Sequence, residues 1–211
     1  MGLNQTVDQL IVLVNNSKQH ISLILKIIAG VWVFNIINWA SGSVLNTLGV
    51  IPRSKRGLLG IFFSWSLHGN FNHLFFNSIP LFALSLLLIS VNKSMFYNAT
   101  ILIILLEGLI VWLIARRGNH IGASGLIAGY FGLALIFAYK SATVVSIILG
   151  FIVLYYFGSI LLSFFPSEDK TSWEGHLFGF LSGIASFFIL FDYNFLPINF
   201  IKQYLNIKVI F

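Results

Sequence analysis

Long apolar stretches, broken by short polar connections, run through almost the whole chain. A helix that crosses a bilayer needs about 20 mostly apolar residues. Six stretches meet that length: 21–42, which reads ISLILKIIAGVWVFNIINWASG, then 68–91, 96–115, 122–139, 143–165 and 174–194. Glycine, proline, serine and charged residues punctuate helices. They fill the connections: VIPRSKRG after the first stretch, VNKS after the second, ARRGNH after the third and FPSEDKTSW after the fifth. The pattern predicts an all-α membrane protein, a bundle of six transmembrane helices.

The ends are less regular. Residues 1–20 are mixed and predict an N-terminal cytoplasmic or interfacial segment, with the six-helix core at 21–194. The tail at 195–211, FLPINFIKQYLNIKVIF, is apolar but holds Lys202 and Lys208. A lysine near the bilayer centre costs about 3 kcal/mol, so the tail is predicted to lie in the interface rather than to span. The opening MGLNQT fits the N-myristoylation pattern at Gly2, a pattern short enough to arise by chance. It lacks the basic start and short apolar core of a signal peptide.

Composition agrees with the pattern. Of 211 residues, 58% are hydrophobic and 9% charged, and the mean hydropathy is +0.93. A soluble domain carries about 25% charged residues; this chain could not cover its own surface with polar groups. The net charge of +6 is scattered over the connections, which does not make a nucleic-acid footprint. The chain has no cysteine, which excludes disulfides, thiolate metal sites and a cysteine nucleophile. Counting cations does not orient the bundle, because six of the twelve fall on each side.

Polar side chains inside a span are expensive and mark function by default. His68, His73 and Asn77 open the second span, Ser124 the fourth and His176 the sixth. In a six-span chain the second, fourth and sixth helices start from one face. These residues therefore share a side of the membrane and a depth. His73 and Asn77 are four apart and share a helix face. A hydroxyl, an imidazole and a set of donors at one depth are the parts of an acyl-transfer site. Gly122 and Gly125 flank Ser124 and permit close backbone approach. Gly125, Gly129 and Gly132 on the fourth span, and Gly179 and Gly183 on the sixth, make small-residue faces that let membrane helices pack closely. Such packing would bring Ser124 and His176 together.

Taken in order on the second, fourth and sixth spans, HGNFNHLFFN, GASG and GHLFGFLSG resemble the rhomboid family of intramembrane serine proteases. The resemblance covers most of residues 21–194. It implies a rhomboid-like bundle around a water-filled cavity, with Ser124 as nucleophile and His176 as general base of a dyad. It implies His73, Asn77 and the backbone N–H of Ser124 as the oxyanion hole, supported by His68. It implies substrates that are transmembrane proteins within the lipid bilayer, and neither metal nor other cofactor. Two features depart from the family. The connection at 43–66 lacks the Trp-Arg pair of some members. Ala128 stands four residues after Ser124, where some members place an aromatic against the histidine; Tyr130 follows two residues later.

Other readings bear on individual residues. His20 and His120 read as solvated. Glu107, inside the third span, reads as structural or as a polar contact between helices. Glu174 stands two residues before His176, which puts it on a different helix face. Trp65 and Trp173 read as interfacial anchors. The loop FPSEDKTSW is the expected cap over the site. A catalytically inactive relative that binds membrane clients is the alternative function. A metal site at the histidines lacks the H-E-x-x-H spacing. The size and the absence of a targeting segment point to a prokaryotic plasma membrane, with the site open to the outer face.

Overall fold

A computed structural model describes residues 3–166 and 172–191. The helices are α1 (Leu3–Ala40), α2 (Gly57–Phe63), α3 (Phe71–Val91), α4 (Lys93–Ile114), α5 (Ser124–Ser141), α6 (Val144–Phe157) and α7 (Trp173–Phe191). Short 3-10 segments occupy Val44–Leu48, Ser64–Ser66 and Gly158–Phe164, the last continuing α6. Among the described residues, six helices are long and apolar enough to cross a membrane: α1, α3, α4, α5, α6 with its 3-10 extension, and α7. The expected tail at 195–211, Gly2 and most of the expected cap lie outside the described residues.

The caps explain the boundaries. The Asn70 side chain accepts from the His73 N–H at 2.9 Å and starts α3 at Phe71. His68 therefore precedes the helix instead of opening it. Asn92 ends α3 and starts α4, accepting from the Met95 N–H. Thr143 and Ser146 form a reciprocal capping box at α6.

Two features differ from the sequence expectation. First, α1 runs unbroken through residue 20. At about 1.5 Å per residue its 38 residues reach about 57 Å, far beyond a hydrocarbon core of about 30 Å. Its polar middle stays helical because it docks: Asn16 donates to the Ser90 carbonyl and Ser17 meets the Ser90 hydroxyl, both at 2.9 Å. Second, the connection after the first span, read as a short loop at 43–66, runs to residue 70 and holds α2 and two 3-10 segments. A Cβ on Gly60 would strike the backbone of Gly49 and Val50, and one on Gly57 that of Ile51. The side-chain N–H of Trp112 donates to the Ser54 carbonyl at 2.8 Å. Seven residues are too few for periodicity to mark α2.

At the centre is α5. Gly125 through Ala134 are buried without interruption, as expected of a helix apolar on all sides. Its 18 residues span about 27 Å, short of the hydrocarbon thickness. Burial begins at Gly125 while Tyr139, Lys140 and Ser141 at the other end are exposed, so it is the start of the helix that sits inside the bundle. Its partner is α7, met through glycines. A Cβ on Gly179 would strike the carbonyl of Gly125, and one on Gly183 that of Gly129.

Overpacking a close contact costs roughly 1–3 kcal/mol or more. Gly183→Val is therefore expected to lower the thermal midpoint in detergent clearly. Gly30→Ala, at a position with nothing within 4 Å, is expected to leave it unchanged within error. Equal midpoints for the two variants would contradict direct backbone contact between α5 and α7.

Candidate active site

Ser124 is the first residue of α5, and His176 lies in the first turn of α7. Both line a cavity of about 470 Å³, together with Asn77 of α3. Phe76, Ile79 and Pro80 form one wall; Tyr156, Phe157, Ile160 and Ser163 form the opposite one. Pro80 has no N–H to give the carbonyl of Phe76, so α3 is loosened where it borders the cavity.

Two side chains converge on the chain just before Ser124. Gly122 has φ +123°, a conformation that side chains resist. A Cβ there would lie 2.6 Å from Nε2 of His73 and 3.6 Å from Nδ2 of Asn77. Among the described residues Asn77 Nδ2 is buried without a hydrogen-bond partner. Buried donors are nearly always paired; an unpaired amide beside a candidate nucleophile is suited to a charge that forms only transiently. The first N–H groups of α5 add further donors, because a helix start leaves them unsatisfied.

His176 is held by backbone. Its Nδ1 lies 3.3 Å from the carbonyl of Ser163, in the 3-10 extension of α6. With Nδ1–H donating there, Nε2 keeps its lone pair and can accept a proton. Neither residue considered in place of the missing aromatic does this. Ala128 is fully buried, and the Tyr130 hydroxyl bonds Thr100 at 2.8 Å on the α4 side. Nor does Glu174 complete a triad: its Oε1 pairs with Nε of Arg116 at 3.1 Å.

His68 is fully buried and ties three segments together. Its N–H donates to Asn35 Oδ1 at 2.8 Å, and its carbonyl accepts from the Trp39 indole at 2.9 Å, both on α1. Its Nε2 accepts from the Ala123 N–H at 3.3 Å, next to Ser124. The rings of His68 and His73 meet edge to face at 4.9 Å. Loss of hydration, then the charge of His73, lowers the His68 pKa to about 4 against a partial opposing effect of the Ser66 carbonyl. The ring is neutral at neutral pH, as an acceptor of the Ala123 N–H must be.

Glu107 of α4 lies against the starts of both helices; its Oε1 would be 2.6 Å from a Cβ on Gly125 and 3.5 Å from one on Gly175. This fits the contact between helices expected of it. His120 is not the solvated loop residue expected. Its backbone forms a two-bond bridge with Val50, both bonds 2.9 Å, and its ring reaches Ser172 and the Arg116 carbonyl. Sequence reasoning missed the Ser163 carbonyl, since a main-chain acceptor leaves no residue-type signal. Among the described residues no three His, Asp or Glu side chains are grouped to hold a metal ion.

The family described as Rhomboid domain matches residues 55–193. An uncharacterized protein of Mycobacterium bovis and one of Mycobacterium tuberculosis are each 37% identical over 176 residues, covering 79% of this chain and 73% of theirs. An uncharacterized protein of Mycobacterium leprae is 32% identical over 79% of this chain and 70% of its own. No solved structure matches significantly.

The neutral state of His68 makes stability depend on pH. An unfolded histidine titrates near 6.5, so between about 6.5 and 4 the unfolded chain binds a proton that folded His68 refuses. Stability is expected to fall as pH falls through that window. The slope of thermal midpoint against pH should be shallower in His68→Gln. Equal slopes would contradict a neutral, buried His68.

Proposed function

The chain belongs to the rhomboid family, and from that premise we propose that it is an intramembrane serine endopeptidase cleaving transmembrane or membrane-proximal peptide bonds of other membrane proteins. The observation that carries this reading is the meeting of Asn77, Ser124 and His176 in one cavity, with His73 and Asn77 aimed at Gly122. An inactive client-binding relative would have no use for an unpaired buried amide beside a serine and an imidazole.

In the proposed reaction, Ser124 Oγ attacks the scissile carbonyl carbon and gives its proton to Nε2 of His176. The carbonyl oxygen becomes an oxyanion, met by His73, Asn77 Nδ2 and the Ser124 N–H. The C–N bond breaks, and His176 returns the proton to the leaving amine. Water in the cavity then attacks the acyl-enzyme, with His176 again taking and returning a proton. The cavity is bordered by α3 on one side and by α6 with its 3-10 extension on the other, which makes the gap between them the substrate's path from the lipid. A substrate helix must unwind there, because helical carbonyls are already bonded. The site opens toward the membrane face opposite the start of α1, assigned here to the outer face of a prokaryotic plasma membrane.

Purified protein in detergent is expected to cleave a generic single-span substrate, and both Ser124→Ala and His176→Ala to lose that activity. Cleavage surviving Ser124→Ala would overturn the nucleophile. One lost oxyanion donor costs roughly 10²–10³ in kcat, so Asn77→Ala is expected to lose that much with KM little changed. A loss confined to KM would instead make Asn77 a substrate-binding residue.

A further inference from the structure

We propose that His120 is a positioning residue that, through Ser172, fixes where His176 stands relative to Ser124. The proposal rests on the protease reading above and adds residues to it. His120 precedes the candidate nucleophile by four residues, and Ser172 precedes the candidate base by four. A hydrogen bond of 2.6 Å joins them, from His120 Nδ1 to Ser172 Oγ. It thus closes a short loop of structure around the dyad, one that neither helix can provide by itself.

The directions of the bonds follow from their partners. Ser172 Oγ accepts from the Gly175 N–H at 3.2 Å, so its own proton is available to His120 Nδ1. His120 Nε2 meets the carbonyl of Arg116 at 3.0 Å, which can only accept, and Nε2 therefore carries the ring hydrogen. The result is a directed chain: Gly175 N–H to Ser172 Oγ–H to His120 Nδ1, then Nε2–H to the Arg116 carbonyl. Each donor and acceptor on it is used.

Both ends of the chain are anchored. His120 is pinned through its backbone to Val50, an almost fully buried residue of the connection 43–70. Ser172 caps α7, its carbonyl accepting from the N–H of His176 itself at 3.3 Å. A second tie runs parallel. Glu174 Oε1 receives both Nε and the backbone N–H of Arg116, at 3.1 and 3.3 Å. The glycine contacts set the spacing of α5 and α7 from Gly125 inward. In the first turn of α7, Ser172 and Glu174 add to the contact of Gly125 with the Gly175 carbonyl and to the Ser163 carbonyl on His176. A helix end held only by its own hydrogen bonds frays, and a displacement of about 1 Å in a reacting group can cost about a hundredfold in rate.

The test uses the full chain in detergent, with kcat, KM and thermal midpoint measured for each variant on the same single-span substrate. His120→Ala is expected to lower kcat roughly tenfold to a hundredfold, with KM unchanged and the protein folded at the assay temperature. His120→Gln, whose amide can both accept from Ser172 and donate to the Arg116 carbonyl, is expected to recover much of the rate. Ser172→Ala, which also loses the acceptor for the Gly175 N–H, should lose at least as much as His120→Ala, and the double variant no more than Ser172→Ala. Unaltered kcat in His120→Ala would overturn the proposal. So would losses that add in the double variant, or that track the thermal midpoint with no rescue by glutamine. Ser124→Ala, run alongside, separates the two levels. If wild type does not cleave, or cleaves as Ser124→Ala does, the protease reading fails and the positioning role falls with it. If wild type cleaves by Ser124 and His120→Ala matches it, the positioning role fails alone.

Discussion

Everything in the site depends on two helix backbones touching. Helices α5 and α7 meet where Gly179 faces the carbonyl of Gly125 and Gly183 that of Gly129. No side chain fits between them. In lipid there is little hydrophobic drive to press helices together, so close van der Waals contact between small residues has to supply the association. In the proposed reaction the same contact places the reacting groups. Gly125 directly follows Ser124, and Gly179 lies three residues beyond His176. Spacing set at the glycines is therefore passed to the hydroxyl and the imidazole within one turn.

The bilayer imposes the second constraint. Backbone that is not helical must find its partners inside the protein at membrane depth. The segment before α5 does so in every direction. The Gly122 N–H donates to the Ser64 carbonyl at 2.9 Å, and the Ala123 N–H to His68. His68 is in turn held by Asn35 and Trp39 of α1. The connection between the first two spans is thus a scaffold for the residues around Ser124. Burial of His68 is what keeps its ring neutral, and neutrality is what lets it accept.

The sequence carried the parts that obey a periodicity or a residue-type rule. Apolar runs gave the six spans, because lipid exposure forces about 20 apolar residues in a row. The order of spans put Ser124, His176, His73 and Asn77 at one depth, and the glycine spacing foretold the α5–α7 contact. What stayed hidden depends on long-range partners. The unbroken run of α1 through residue 20 follows from docking on Ser90, seventy-odd residues away. Helix α2 is too short to announce itself. The hold on His176 is a main-chain carbonyl, and the partners of His120 lie at Val50 and Ser172. Sequence separation, not weak chemistry, concealed these.

The central claim is that contact between α5 and α7 makes Ser124 a nucleophile activated by His176. Peptide mapping by mass spectrometry, after treating folded protein with a fluorophosphonate, tests it most directly. The account predicts an adduct on Ser124 alone among the many serines, and its loss in His176→Ala. An adduct on another serine, or equal labelling of Ser124 without the imidazole, would contradict it.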